Sequence, residues 1–224
     1  NQQKDRTSLP YSVWPVEAIA RLEREGADNL GITLFELMQR AGEAAFSLLR
    51  QQWPHAQHWV ILCGPGNNGG DGFVVARLAQ AAGVEVALIA VESDSALPEE
   101  ARQARENWLA AGGVIHDVSF AWPEKTDVIV DALLGTGLNR PPAFPYDRLI
   151  EQAKHHTAPV FSLDIPSGLV AANGTVPGVV IDAQHTLTFV GLKPGLLTGK
   201  ARDHVGQLHC HSLNLDAWLQ TRSA

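Results

Sequence analysis

The sequence has only two cysteines and no long apolar run. Cys63 and Cys210 lie far apart and outside any CxxC pattern, which predicts two buried thiols in a reducing cytoplasm rather than a disulfide. No apolar run approaches the ~20 residues that a membrane helix needs. The opening residues, NQQKDRTSLP, lack the apolar core of a signal peptide. A cytoplasmic protein without a membrane partner is therefore expected.

The sequence also has fewer basic than acidic residues. The chain has 17 lysines and arginines against 24 aspartates and glutamates, which gives a formal net charge of -7 at pH 7. Nucleic acids and anionic membranes bind basic surfaces, so we expect neither as the main partner. At 224 residues, the length suits one domain, and residues 1–224 are predicted to form a single unit.

Strand and helix patterns alternate through most of the chain. The predicted strands are HWVILC (58–63), VEVALIAV (84–91), VIHDV (114–118), DVIVDAL (127–133), APVFSLDI (158–165), AQHTLTFVG and GQLHCHSL. This alternation predicts a Rossmann-like three-layer α/β/α sandwich with a mainly parallel sheet. Residues 1–55 are predicted to form a helical N-terminal extension, with one helix from Pro15 to Gly31 and a second, to about Gln52, that begins at a capping box.

A glycine-rich stretch, GPGNNGGDG (64–72), follows the first strand. Gly64, Gly66 and Gly69 fit the G-x-G-x-x-G pattern of dinucleotide sites. The pattern is compatible with a conventional NAD(P)-dependent oxidoreductase, although Pro65 and the additional polar residues are unusual for that class. Asp71 can be interpreted as the N-cap of the next helix, as a binding group, or as both.

Two further acids end strands. Asp131 closes VIVD and Asp164 closes SLD, and ligands bind beyond the carboxyl ends of parallel strands. With Asn68 and Ser167, these carboxylates form an all-oxygen set, which is the ligand chemistry of a hard cation. Asp131 can alternatively be a structural acid that accepts hydrogen bonds from loop amides.

The late loop GLKPGLLTGK carries Lys193 and Lys200. These lysines could reach a phosphate, or they could belong to a solvated loop. The nine histidines fit surface positions or a sheet face better than a metal site. No Ser/His/Asp or Cys/His arrangement is identifiable from spacing alone.

Taken in order, GPGNNGGDGFVVARLA, VDALLGTGL, LDIPSGL and GLKPGLLTGKA resemble the NAD(P)H-hydrate epimerase family, and more closely its bifunctional bacterial members. The resemblance implies a homodimer or larger homo-oligomer that interconverts the R and S forms of hydrated NADH and NADPH (NADHX and NADPHX). It also implies a fused ADP-dependent dehydratase domain, of which this chain would be the N-terminal neighbour. A non-catalytic nucleotide-binding module is the remaining alternative.

The resemblance further assigns roles to residues. Substrate binding is expected at Asn67, Asn68, Gly69, Gly70, Asp71, Gly135, Thr136, Gly137, Leu138, Asn139, Arg140 and Pro141. One potassium ion (K+) per subunit is expected at Asn68, Asp131 and Ser167. Asp164 is expected to contact the reacting nicotinamide, and we predict it as the catalytic acid/base.

Overall fold

The computed structural model describes residues 12–222. Its helices are α1 (Val16–Leu30), α2 (Leu34–Gln52), α3 (Asn67–Ala81), α4 (Glu99–Ala110), α5 (Tyr146–His155), α6 (Ala201–His204) and α7 (Asp216–Gln220). Its strands are β1 (His58–Cys63), β2 (Glu85–Ala90), β3 (Ile115–His116), β4 (Val128–Ala132), β5 (Val160–Leu163), β6 (His185–Phe189) and β7 (Gln207–His211). Residues 1–11 of the predicted extension lie outside the described part.

The seven strands form one sheet in the order β3-β2-β1-β4-β5-β6-β7, and every neighbouring pair is parallel. The chain therefore starts at the centre, moves to one edge, and returns through β4 to the other edge. Ligands of such sheets bind where the strand order reverses, beyond the carboxyl ends of the strands. That point lies between β1 and β4. The predicted Rossmann-like architecture is confirmed.

The core lies on both faces of the sheet because strand side chains alternate between the faces. Ile61 and Cys63 of β1 belong to an apolar cluster that includes residues of α2, α3 and α4. Val60 and Leu62 belong to a second cluster that includes residues of α5. Buried strands of a parallel sheet are apolar on both faces, and this explains why β1 and β4 are apolar almost throughout.

The two N-terminal helices begin and end close to the predicted residues. Helix α1 ends at Gly31, which has the left-handed φ of 65° that glycine adopts without strain. Helix α2 begins with the predicted capping box: the Thr33 hydroxyl accepts a hydrogen bond from the Glu36 amide, and the Glu36 carboxylate accepts one from the Thr33 amide. Both helices pack on the sheet side that carries the larger apolar cluster.

Helix α3 begins four residues earlier than predicted. Its N-cap is Gly66, and Asn67 is already helical. The interpretation of Asp71 as the N-cap is therefore wrong, because this residue lies in the second turn. Polar residues that the sequence suggested were a loop instead form the first turn of a helix, where free amide N–H groups are available.

Both cysteines are free thiols, with Cys63 buried and Cys210 only half-buried. Burial raises the pKa of Cys63 above its ordinary range and that of Cys210 to about 12. Neither thiol is therefore an activated nucleophile at neutral pH. In the described part of the chain, no helix is both long and apolar enough to cross a membrane.

Candidate active site at the carboxyl edge of the sheet

Glycines at the start of α3 allow the strand ends and the helix to approach closely. A Cβ on Gly64 would lie 1.8 Å from the Leu133 carbonyl oxygen, and one on Gly69 would lie 1.8 Å from the Gly64 carbonyl oxygen. A Cβ on Gly66, in contrast, would meet nothing within 4 Å. The first and third glycines of the fingerprint are thus required by packing, and the second leaves open space where a ligand can approach the backbone.

Asp131, near the end of β4, is completely buried, and all the groups among residues 12–222 that donate to it are neutral. Its Oδ2 accepts hydrogen bonds from the Ser162 hydroxyl (2.7 Å) and the Ser167 amide (2.8 Å). Its Oδ1 accepts from the Ser167 hydroxyl (2.5 Å) and from the Leu133 amide (3.3 Å). Burial raises the pKa of Asp131, and these hydrogen bonds oppose the rise. Asp131 therefore accepts hydrogen bonds from loop amides, which confirms the alternative interpretation of this residue as a structural acid.

Asn68 lies next to this network and leaves one oxygen without a partner. Its amide nitrogen donates to the Leu134 carbonyl (3.3 Å), but its buried Oδ1 accepts no hydrogen bond from any described residue. The Ser167 hydroxyl oxygen lies 3.5 Å from the same carbonyl. A buried acceptor without a partner costs about 1–3 kcal/mol. A cation held by oxygen atoms would remove that cost, so the donor set fits a hard monovalent ion.

Asp164, directly after β5, has a different environment. Its backbone is left-handed, with φ 65°, although it is not glycine. Its Oδ1 accepts hydrogen bonds from the Thr188 hydroxyl (2.9 Å) and from the Lys193 ammonium (2.5 Å), and the Phe189 amide approaches it at 3.4 Å. Strained backbone of this kind is found most often at functional sites. In the described part of the chain, no group donates to Oδ2, which leaves that atom available to a substrate.

Lys193 is the cationic partner of Asp164, and its side chain is only 1% exposed. Besides Asp164, its ammonium donates to the Thr188 hydroxyl (2.7 Å) and to the Phe189 carbonyl (2.9 Å). An ammonium has three N–H donors, so all of them are used and none remains for a phosphate. Neither interpretation of this lysine from the sequence was right. Lys200, in contrast, is exposed, as expected for a solvated loop.

Two more carboxyl groups, Asp71 on α3 and Glu23 on α1, lie close enough to the Asp164–Lys193 pair to interact with its charges. Burial raises the pKa of Asp71 well above its ordinary value, and the negative charges of Asp164 and Glu23 raise it further. Burial also raises the pKa of Glu23, on α1, to about 7. Sequence reasoning missed Glu23, because nothing in the pattern of α1 distinguishes it from the other charged residues of an amphipathic helix.

Asp71 and Glu23 line a cleft of about 120 Å³. Its walls come from α1, α2, the starts of α3 and α4, the end of β6 and the chain after β7. Phe189 is one of the lining residues, and its backbone contacts both Asp164 and Lys193. The cleft thus adjoins the Asp164–Lys193 pair at the carboxyl edge of the sheet.

The structure brings the three predicted segments to one edge. A Cβ on Gly135 would lie 3.4 Å from the Cβ of Asn68, so the second loop contacts the first turn of α3. Arg140, in the same loop, is exposed. The predicted contacts of Asn67, Asn68, Gly69, Gly70, Asp71, Gly135, Thr136, Gly137, Leu138, Asn139, Arg140 and Pro141 with a substrate remain predictions.

Comparison with known proteins identifies the family of the domain. Residues 34–195 match the family model described as YjeF-related protein N-terminus. The chain is 60% identical over 217 residues to the bifunctional NAD(P)H-hydrate repair enzyme Nnr of Escherichia coli, covering 97% of this chain and 42% of the relative. It is 38% identical over 205 residues to the NAD(P)H-hydrate epimerase of Bordetella bronchiseptica, covering 89% of this chain and 87% of the relative.

A protein of known structure shares the fold. The crystal structure of the yeast protein YNL200c (ynu0) superimposes with a TM-score of 0.73 at 24% sequence identity, covering 89% of this chain and 87% of the yeast chain. The chain spans less than half the length of the bifunctional relatives that it matches. Because the family model covers most of the chain and a relative of similar length is an epimerase by name, the chain belongs to the NAD(P)H-hydrate epimerase family, with the YjeF-related N-terminal type of domain.

Proposed function

We propose that this domain is an NAD(P)H-hydrate epimerase that interconverts the R and S forms of NADHX and NADPHX. The observation that carries the proposal is the Asp164–Lys193 pair, placed beyond a strand end beside a glycine-rich helix start. A nucleotide fits the glycines, and proton transfer at a ring hydroxyl fits the carboxylate. The names of the relatives, NAD(P)H-hydrate epimerase and repair enzyme, support the same substrate class.

Epimerisation at the hydroxyl-bearing ring carbon needs either loss and return of hydroxide or opening and reclosure of the ring. Both routes require a proton donor or acceptor at the hydroxyl oxygen. Asp164 would supply it through Oδ2, because its Oδ1 is held by Thr188 and Lys193. The side chain of Asp164 is 17% exposed, so it can meet a ligand, while the buried lysine fixes its orientation.

The nucleotide part of the substrate would lie along the two glycine-rich segments. The free N–H groups at the start of α3 and the open space at Gly66 suit a phosphate. Gly135, at the start of the loop 135–141, lies against Asn68, and the exposed Arg140 of the same loop would supply the positive charge that α3 lacks at its start.

Asn68, Asp131 and Ser167 would hold one potassium ion per subunit. The unpartnered Asn68 Oδ1 is the observation that supports this assignment. When bound, the ion supplies a positive charge next to the phosphate-binding segments. The chain's own residues keep the site in place: Ser167 joins the turn after β5 to the end of β4 through Asp131.

The test is chromatographic separation of the two NADHX epimers before and after addition of the protein. The wild-type protein should restore the epimer equilibrium, and Asp164→Asn should reduce the rate by about 10³-fold or more while still binding nucleotide. Asp94→Asn, on an exposed loop, is the matched control and should keep the wild-type rate. Near-normal turnover by Asp164→Asn would contradict the assignment of the acid/base.

The same assay separates the proposal from the two alternatives. Epimerisation is redox-neutral, so a change at the reduced nicotinamide absorbance band would indicate an oxidoreductase instead. No interconversion of either hydrated cofactor by the wild-type protein would indicate a non-catalytic nucleotide-binding module. The homodimer, the fused ADP-dependent dehydratase domain and the cytoplasmic location are parts of the same proposal. Several relatives are bifunctional by name, which supports the fused domain.

A further inference from the structure

Glu23 projects from α1 into the cleft that adjoins the Asp164–Lys193 pair. It lines the cleft together with Asp71 from the opposite helix, α3, and with Phe189 from the end of β6. The carboxylate of Glu23 forms no hydrogen bond or ion pair with any residue in the range 12–222. The Glu23 side chain is half-buried, and a carboxylate that lines a cleft without a protein partner is available to a ligand.

Charged groups from several elements act on Glu23. Burial is the largest influence and raises the pKa of Glu23; Asp164 and Glu100 raise it further, whereas Lys193 and Arg24 lower it. The result is a pKa of about 7, so this carboxyl gains and loses a proton at neutral pH. Burial, followed by the negative charges of Asp164 and Glu23, also raises the pKa of Asp71 well above its ordinary value. Helices α1 and α3 therefore each contribute to the cleft one carboxyl group with a raised pKa.

The proposed epimerisation needs a second group that can give or take a proton. In epimerisation by loss of hydroxide, the hydroxyl leaves one face of the ring and water returns at the opposite face. Proton transfer requires contact at hydrogen-bonding distance, so one carboxyl cannot serve both faces of a fixed ring. Asp164 follows the end of β5, whereas Glu23 belongs to α1 and lines the adjoining cleft, so the two carboxyls come from different elements of the fold.

We propose that Glu23 is a second acid/base group of this site and serves the face of the ring opposite to Asp164. The inference rests on the proposed epimerase function. In one direction, protonated Glu23 gives its proton to the leaving hydroxyl oxygen, the C–O bond breaks with its electron pair on oxygen, and water leaves. The ring nitrogen lone pair forms the C=N bond, which makes the ring a cation.

Water then adds to the opposite face of the ring. A lone pair of the water oxygen forms the new C–O bond, the C=N electrons return to nitrogen, and Asp164 takes the released proton. The sum is an inverted carbon and a proton moved from Glu23 to Asp164. The reverse reaction moves the proton back, and exchange with solvent restores the starting state between turnovers in one direction.

The test compares Glu23→Gln with Glu25→Gln in the epimer assay between about pH 5.5 and about pH 9, after the uncatalysed rate is subtracted. Glu25 lies on the same helix and pairs with Arg222 and Arg21, so it controls for the substitution itself. The wild-type rate should fall as the pH rises through about 7. Glu23→Gln should lose about 10²–10³-fold in rate together with that inflection, and Glu25→Gln should keep both.

Three outcomes would overturn the inference. One is a Glu23→Gln rate within about threefold of wild type. Another is a slower Glu23→Gln protein that keeps the wild-type inflection, because a structural role would lower the rate without removing a titration. The third is a fully active Glu23→Ala protein, and this outcome can be measured even if Glu23→Gln does not fold. These outcomes leave the proposed function intact if Asp164→Asn is inactive; a wild-type protein that does not interconvert the epimers would contradict the function itself.

Discussion

Asp131 and Asp164 end neighbouring parallel strands, yet their surroundings have opposite character. Asp131 is buried, and its four hydrogen bonds come from two serine hydroxyls and from backbone amides of Leu133 and Ser167. Asp164 is partly open, has a strained backbone, and is paired with the buried ammonium of Lys193. One carboxylate is saturated by neutral donors, and the other keeps an oxygen atom free of donors.

This difference separates a structural role from a chemical one. A carboxylate whose oxygens are all engaged cannot transfer a proton without breaking the network that holds the loops, but it can share its negative charge with a nearby cation. A carboxylate held through one oxygen keeps its orientation and leaves the other oxygen for a ligand. The position after a parallel strand is therefore not enough to assign a role, and the surrounding donors decide it.

Among changes to the partners of the two carboxylates, the largest effect is expected from removing the positive charge of Lys193 beside Asp164. Lys193→Met keeps the length of the side chain but leaves the carboxylate without its ammonium partner. We expect about a 10²–10³-fold loss of epimerisation, because the orientation of Asp164 is lost, and about 3 kcal/mol of destabilisation in urea unfolding. The exposed Lys200→Met is the matched control from the same loop and should behave as wild type. Normal activity of Lys193→Met would remove the ion pair from the mechanism.

A smaller effect, on stability, is expected from potassium binding at the proposed site of Asn68, Asp131 and Ser167. Potassium should raise the free energy of unfolding of the wild-type protein by about 2.7 kcal/mol at a hundredfold excess over Kd. Lithium, which is much smaller, should not. Asn68→Ala should abolish the response, whereas Asn67→Ala, which removes an exposed neighbouring amide, should preserve it. The measurement is thermal unfolding without nucleotide, and an equal response to both ions would contradict a potassium site.

The smallest effects are expected from removing one hydroxyl donor from each carboxylate. Ser162→Ala removes a donor to Asp131, and Thr188→Val removes a donor to Asp164. Each should cost about 1 kcal/mol of stability in urea unfolding. Only Thr188→Val should also lower kcat, by about tenfold, because it loosens the group that acts on the substrate. Equal kcat values for the two variants would erase the proposed difference between the carboxylates.

The fold was predictable from the sequence because its signals are local. Apolar runs such as HWVILC identify buried strands, and the Thr33–Glu36 spacing identifies a helix start. The same local reasoning placed the start of α3 at Asp71, four residues too late. Glycines and asparagines are typical of loops, and a helix whose first turn packs against strand ends uses them for a tertiary reason.

The sequence by itself determined the alternation of strands and helices, and therefore a parallel sheet with Asp131, Asp164 and the glycine-rich start of α3 at one edge. It also contained the motifs by which the family is recognised. Only the tertiary structure decided that Lys193 is buried against Asp164 and that Glu23 faces the adjoining cleft. Those two placements depend on contacts between residues far apart in the chain, and no local periodicity encodes them. The protonation of the site depends on the same contacts, because burial and neighbouring charges set it.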